Sequence, residues 1–120
     1  MIDHIGLRTK QLGALTSFYE RALAPLGYAK LSTYEGGAGF GTKDSLQLWL
    51  AESGDATSSV HVGLSAPSRK AVDEFHAAAL AAGGRDNGKP GLRPDYGAGY
   101  YAAFVIDPDG NNLEALTYQP

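Results

Sequence analysis

Apolar and polar residues along this chain fall into one pattern that is written twice. Ile2, Ile5 and Leu7 make a short β run whose alternation sets His4 and Gly6 on one face and Ile5 and Leu7 on the other. Leu15, Phe18, Tyr19, Ala22, Leu23 and Leu26 recur at helical spacing, which predicts an amphipathic helix from about Leu12 to Leu26, ended by Pro25 and Gly27. Three further β runs, 28–34, 37–41 and 45–51, are separated by turn material at Glu35-Gly36-Gly37 and Thr42-Lys43-Asp44. A small, polar connection at 52–58 follows, and the pattern restarts. Val60, Val62 and Leu64 predict a strand. Pro67-Ser68 then opens a helix that carries Val72, Phe75, His76, Ala79 and Leu80 and stops at Gly83-Gly84. After it come a weak strand near Arg85, a long Gly/Pro loop from Asn87 to Gly99, a strand from Tyr100 to Ile106, the turn Asp107-Pro108-Asp109-Gly110 and a last strand from Asn112 to Tyr118.

The repetition is literal in places. His4-Ile5-Gly6-Leu7 returns as His61-Val62-Gly63-Leu64 at an offset of 57, and the same offset carries Leu15 to Val72, Phe18 to Phe75 and Gly27 to Gly84. Matching Leu46-Gln47-Leu48 to Leu113-Glu114-Ala115 needs an offset of 67, so the second copy is expected to be ten residues longer, with the extra length in the 87–99 loop. The expectation is an α+β fold of two tandem βαβββ modules in one domain over 1–120, with module 1 at 1–51, a linker at 52–58 and module 2 at 59–120. Two such copies packed about a pseudo-twofold would bring His4 and His61, on first strands, to one concave face with Gln47 and Glu114, on last strands.

Composition narrows the partners. With 43% hydrophobic and 19% charged residues the chain can build a core, and a net charge of −3 with scattered Lys and Arg argues against nucleic acid or an anionic membrane. No cysteine is present, so the chemistry uses no thiolate, and a reducing cytoplasm fits. Met1-Ile2-Asp3-His4 carries no basic and apolar leader, and no apolar run approaches the roughly 20 residues that span a bilayer.

Two imidazoles, an amide oxygen and a carboxylate on one face read as ligands for one divalent ion, Zn, Ni, Co, Mn or Fe(II), which would keep a net charge of about +1. Such an ion polarises a carbonyl and acidifies bound water. Asp3-His4-Ile5-Gly6-Leu7, Phe18-Tyr19, His61-Val62-Gly63-Leu64 and above all Asp107-Pro108-Asp109-Gly110-Asn111-Asn112-Leu113-Glu114 resemble the vicinal oxygen chelate superfamily, which includes glyoxalase I, extradiol dioxygenases and the fosfomycin- and bleomycin-resistance proteins. The resemblance covers nearly the whole chain. It implies a cupped mixed β-sheet built from the two modules, a homodimer, and metal ligands at His4, Gln47, His61 and Glu114, with Gln47 dropping out in the dioxygenase and fosfomycin branches.

What the resemblance implies for activity is a metal acting on adjacent oxygens of a small substrate, with glyoxalase-like proton transfer beside a carbonyl as the first choice and Glu114 as the base. The alternatives are an Fe(II) dioxygenase using two histidines and one carboxylate, and a binding protein that performs no chemistry. Gly6 stands where the fosfomycin branch has threonine, and the helical insert and glutathione-binding basic residues of the glyoxalase I branch have no counterpart. Trp49 and Phe104 are candidates to line the cup, and Arg93, Tyr96, Tyr100 and Tyr101 in or beside the long loop to close over a substrate and hold an anionic group. His76, at the position of Tyr19 in the first helix, is expected to pack between helix and sheet, outside the site. Asp107 and Asp109 read as a hairpin turn setting the register of Glu114 and not as calcium ligands.

Overall fold

Each half of the chain folds into its own four-stranded sheet with one helix against it, in a computed structural model that describes residues 1–120. Module 1 consists of β1 (Ile5–Thr9), α1 (Leu12–Leu23) running into a 3-10 turn (Ala24–Leu26), β2 (Ala29–Tyr34), β3 (Gly37–Thr42) and β4 (Ser45–Glu52). Module 2 repeats it with β5 (His61–Ser65), α2 (Arg69–Ala81), β6 (Arg85–Leu92), β7 (Tyr101–Ile106) and β8 (Asn112–Thr117). The strand orders are β1-β4-β3-β2 and β5-β8-β7-β6; β1–β4 and β5–β8 are parallel and the other pairs antiparallel, so both sheets are mixed. No ladder joins β1 to β5. The connection between modules lies beside β1 instead, where Ser58 N–H donates to the Arg8 carbonyl at 2.9 Å and Arg8 N–H donates to Ser58 Oγ at 2.8 Å.

The helices form where the apolar stripe lies. Leu15, Phe18, Tyr19, Ala22 and Leu23 of α1 and Ala71, Val72, Phe75, His76 and Ala79 of α2 are buried, and the helices pack side by side in one cluster of 21 buried apolar residues. Ser68 caps α2 as expected, its Oγ accepting from Ala71 N–H. No helix is long and apolar enough to cross a membrane.

Two expectations change. The first six residues of the stretch expected as loop from Asn87 to Gly99 are strand: β6 continues to Leu92. It pairs with β7 through two register shifts, and an edge position lets Pro90 and its glycines stay in a strand without breaking a central ladder. The repeat offset of the last strands is 65, not 67. Ile5 pairs with Leu48 and its counterpart Val62 pairs with Leu113, and the neighbouring ladder agrees, Phe40↔Leu48 matching Val105↔Leu113. Asn112 is therefore the counterpart of Gln47, and Glu114 that of Trp49. A slip of two residues preserves the inward and outward pattern, so alternation alone could not detect it.

The Asp107-Pro108-Asp109-Gly110 segment makes the expected turn, with Gly110 at φ +94° accepting a backbone conformation that a side chain would oppose. It also clamps the modules together. Asp107 is 3% exposed; its Oδ1 accepts from the backbone N–H of Asp109 and Asn111, and its Oδ2 accepts from Asn111 Nδ2 at 2.8 Å and from the Tyr19 hydroxyl on α1 at 2.6 Å. Asn111 Oδ1 accepts from Val60 N–H at the entry to β5, and Gln11 Nε2 donates to Asp109 Oδ1.

Burial, followed by the Asp107 charge and hydrogen bond, pushes the Tyr19 phenol well above its ordinary value. The unfolded chain releases that proton near pH 10, so the contribution of Tyr19 is complete below about pH 10 and declines as pH rises past it. Tyr19→Phe is expected to lower stability by about 1–3 kcal/mol at neutral pH and to flatten the alkaline loss; Asp107→Ala, which strands several donors, should lower it further. Urea midpoints from pH 7 to 11 check both.

Candidate functional site

His61 opens β5 and Glu114 lies in the middle of β8, and the parallel register pairs His61 with Asn112 and Gly63 with Glu114. Residues two apart share a face, so His61, Gly63, Asn112 and Glu114 all point to the same side of the sheet. The absence of a side chain at Gly63 leaves the diagonal between His61 and Glu114 open, and His61 Nε2 reaches Glu114 Oε1 at 2.9 Å. Glu114 is only 4% exposed, and the Tyr100 hydroxyl donates to its other oxygen, Oε2. Burial, then the hydrogen bond to Glu114 and its charge, pushes the Tyr100 phenol far above its ordinary value. Tyr100 is thus a standing donor at neutral pH.

His61 separates two cavities. The larger, about 640 Å³, is floored by His61, Glu114 and Asn112 and walled by Tyr100, Phe104 and Arg93, with Tyr96 and Asn87 at its margin. The smaller, about 350 Å³, lies between the start of β1 and β5 and is bounded by His4, Gln47, His61 and Tyr28. Gln47 Oε1 is buried there without a hydrogen-bond partner. His4 is exposed and its Nδ1 is bonded to Asp3 Oδ1 at 2.8 Å.

The residues singled out from sequence therefore separate. Arg93, Tyr96, Tyr100 and Phe104 share the larger cavity with His61 and Glu114; His4 and Gln47 meet His61 only across the smaller one, and no three His, Asp or Glu side chains converge. Trp49 and Tyr101 line neither cavity: Trp49 packs on Tyr34, ring centroids 6.0 Å apart, on the module 1 sheet, and the Tyr101 hydroxyl donates to Asp73 Oδ1 on α2 at 2.7 Å. His76 lies outside both, its Nε2 2.9 Å from Asp86, and that bond holds the Asp86 carboxyl below its usual range. Asn87 and Asn112, joined by an amide–amide hydrogen bond at the cavity wall, were missed from sequence. Period-2 spacing from Glu114 points to Asn112, whereas nothing local points to Asn87.

The family model of the Glyoxalase/Bleomycin resistance protein/Dioxygenase superfamily matches residues 1–115. The chain belongs to this superfamily. Among solved structures it is similar to a glyoxalase/bleomycin resistance protein from Albidiferax ferrireducens, at 26% identity and TM-score 0.85, covering 100% of this chain and 99% of that one. A glyoxalase/bleomycin resistance protein/dioxygenase family enzyme from Burkholderia phytofirmans shares the fold at 18% identity and TM-score 0.75, covering 98% of each chain. So does a lactoylglutathione lyase from Agrobacterium tumefaciens, at 20% identity and TM-score 0.68, covering 97% of this chain and 92% of that one. No curated protein matches.

Superfamily membership raises the question of a divalent ion; the donor types at His61 and Glu114 suit one, while no third His, Asp or Glu stands with them. An imidazole nitrogen and a carboxylate oxygen are donor types a divalent ion takes, and His61 Nε2 and Glu114 Oε1 stand together, hydrogen-bonded at 2.9 Å. The Tyr100 bond to Oε2 is the kind of outer contact that fixes a ligating carboxylate. Gln47, which lines the smaller cavity as His61 does, carries a buried oxygen without a hydrogen-bond partner and adds a neutral donor type. In the Glu114→Gln variant the Tyr100 phenol is expected to ionise at lower pH than in the parent, because the hydrogen-bonded charge opposing phenolate is gone while burial remains. Absorbance titration at 295 nm of the two proteins measures the shift, and superimposable curves would contradict it.

Proposed function

We propose that the chain is a metal-dependent enzyme acting on a small substrate through two adjacent oxygens, with proton transfer beside a carbonyl as its reaction. The observation that carries this reading is the buried Glu114 carboxylate, held between His61 and Tyr100 on the floor of a cavity of about 640 Å³. His61 and Glu114, joined by His4 and Gln47 from the smaller cavity, would hold one divalent ion of the Zn, Ni, Co, Mn or Fe(II) kind, which supplies Lewis-acid polarisation of the substrate oxygens.

The chain's own groups do the remaining work. Glu114, on leaving its contact with His61, would take at Oε1 the proton from the hydroxyl-bearing carbon beside the carbonyl and return it to the former carbonyl carbon, the hydroxyl proton passing between the two adjacent oxygens. Tyr100, protonated throughout, holds Oε2 and so fixes the direction in which Oε1 points. Phe104 and Tyr100 supply aromatic lining to the cavity that Glu114 faces.

The counterpart of Glu114 in module 1 is Trp49, so only one carboxylate faces the site. That favours, as the alternative among enzymes, Fe(II) dioxygenation with His4, His61 and Glu114 as ligands. His4, tied to Asp3, favours a second class, a binding protein without chemistry. A homodimer goes with the enzyme reading, supported by the exposed apolar Met1, Ile2 and Val60 near the smaller cavity. A cytoplasmic location, with neither nucleic acid nor membrane as partner, is supported by the lack of cysteine and the net charge of −3.

Metal analysis and calorimetry with Mn, Ni and Zn test the proposal. One ion per chain is expected, its affinity abolished by Glu114→Gln or His61→Ala and lowered roughly 10–100-fold by Tyr100→Phe. No affinity for any of these ions in the parent protein would leave the binding protein as the better reading. Light scattering at micromolar concentration should return a dimer mass, and a monomer would count against the assembly.

A further inference from the structure

The larger cavity contains one Lys or Arg, Arg93, and that guanidinium makes no ion pair within the chain. It lies over the Phe104 ring, 5.5 Å from the centroid. Glycine at two positions lets it lie there: a Cβ on Gly88 would stand 2.9 Å from the Phe104 ring and 3.2 Å from Arg93 Nη2, and one on Gly91 would stand 3.2 Å from Arg93 Nη1. Two of its N–H groups are used, Nη2 donating to the Lys89 carbonyl at 2.6 Å and Nη1 reaching the Leu92 carbonyl at 3.5 Å. A guanidinium has five, so three remain unassigned.

The backbone fixes where this cation sits relative to the chemistry. Arg93 N–H donates to the Tyr100 carbonyl at 2.7 Å, closing the β6–β7 loop at its base, so the residue that carries the free cation is bonded to the residue that holds Glu114. Tyr96 stands edge-on to Tyr100 with ring centroids 5.6 Å apart, adding an aromatic wall. Glu114 is already engaged by His61 and Tyr100 and leaves Arg93 without an internal counter-ion.

We infer that Arg93 is a specificity-determining residue that takes the carboxylate end of a planar, monoanionic substrate, whose paired oxygens lie toward His61 and Glu114. The inference rests on the chelating reading of the His61–Glu114 floor for the second half of that statement only. A planar guanidinium matches a carboxylate with two parallel hydrogen bonds. Arg93 is the only Lys or Arg of the lining, so the chain's own charge matches a monoanionic carboxylate there better than a dianion such as a phosphate. Phe104 and Tyr96 supply aromatic lining for a planar substrate between the two ends.

Calorimetry of the intact protein with benzoate, 3,4-dihydroxybenzoate and methyl 3,4-dihydroxybenzoate tests the two halves separately. The parent protein should bind 3,4-dihydroxybenzoate at least ~10-fold more tightly than its methyl ester, and Arg93→Met should erase that preference and weaken benzoate ~10-fold or more. Arg93→Lys should retain part of both, and circular dichroism verifies that each variant is folded. Glu114→Gln should weaken the two diols and should not weaken benzoate. Equal affinity for acid and ester, no binding of either acid, or an acid affinity indifferent to Arg93→Met overturns the assignment of Arg93, even if Glu114→Gln still weakens the diols. Benzoate binding that depends on Arg93, with diols indifferent to Glu114→Gln, upholds the carboxylate site and removes the chelating floor instead.

Discussion

The fold depends on one buried carboxylate. Asp107 accepts four hydrogen bonds, two from the backbone of its own turn, one from Asn111 and one from Tyr19 in the other module. A carboxylate taken out of water is tolerable only when its lone pairs are occupied, and here one set of donors comes from each half of the molecule. Asn111, placed by this turn, in turn accepts from Val60 N–H and so sets the entry to β5. Both strands that carry the candidate site, β5 and β8, thus start from the same fixed point. Their parallel register, His61 beside Asn112 and Gly63 beside Glu114, follows directly from that start.

From that register come the electrostatics of the site. Glu114 is a second buried carboxylate, but with fewer internal donors: His61 on one oxygen and Tyr100 on the other. Asp107 is saturated and structural, whereas Glu114 keeps one contact, to the half-exposed His61, that can be exchanged for a ligand or an ion. The difference between the two acids lies in their neighbours and not in their type. The chain uses the first to hold the second in place.

Pseudo-symmetry explains why module 1 looks like a site and supplies less. Its sheet repeats the geometry of module 2, but Trp49 stands where Glu114 does, packed on Tyr34, and Gln47 stands where Asn112 does. The duplicated scaffold therefore carries one acidic and one aromatic face. His4, the counterpart of His61, lies ahead of β1 and meets module 2 only across the smaller cavity.

Much of this was legible in the residues alone. The twice-written alternation and helical stripes determined two βαβββ units, the helices around Phe18 and Phe75 and the hairpin turn at Asp107, because these are local periodicities and turn chemistry that any compact fold must respect. Tertiary structure alone decided the offset of 65, since sliding a strand by two residues leaves every side chain on its original face. It decided that β6 persists through Pro90 to Leu92, because an edge position removes the penalty that local propensity assigns. It also decided the Tyr19–Asp107 clamp and the free guanidinium of Arg93 over Phe104. Both join residues remote in sequence or separated by a loop, and only the packed chain selects which polar groups are left facing each other and which are left facing a cavity.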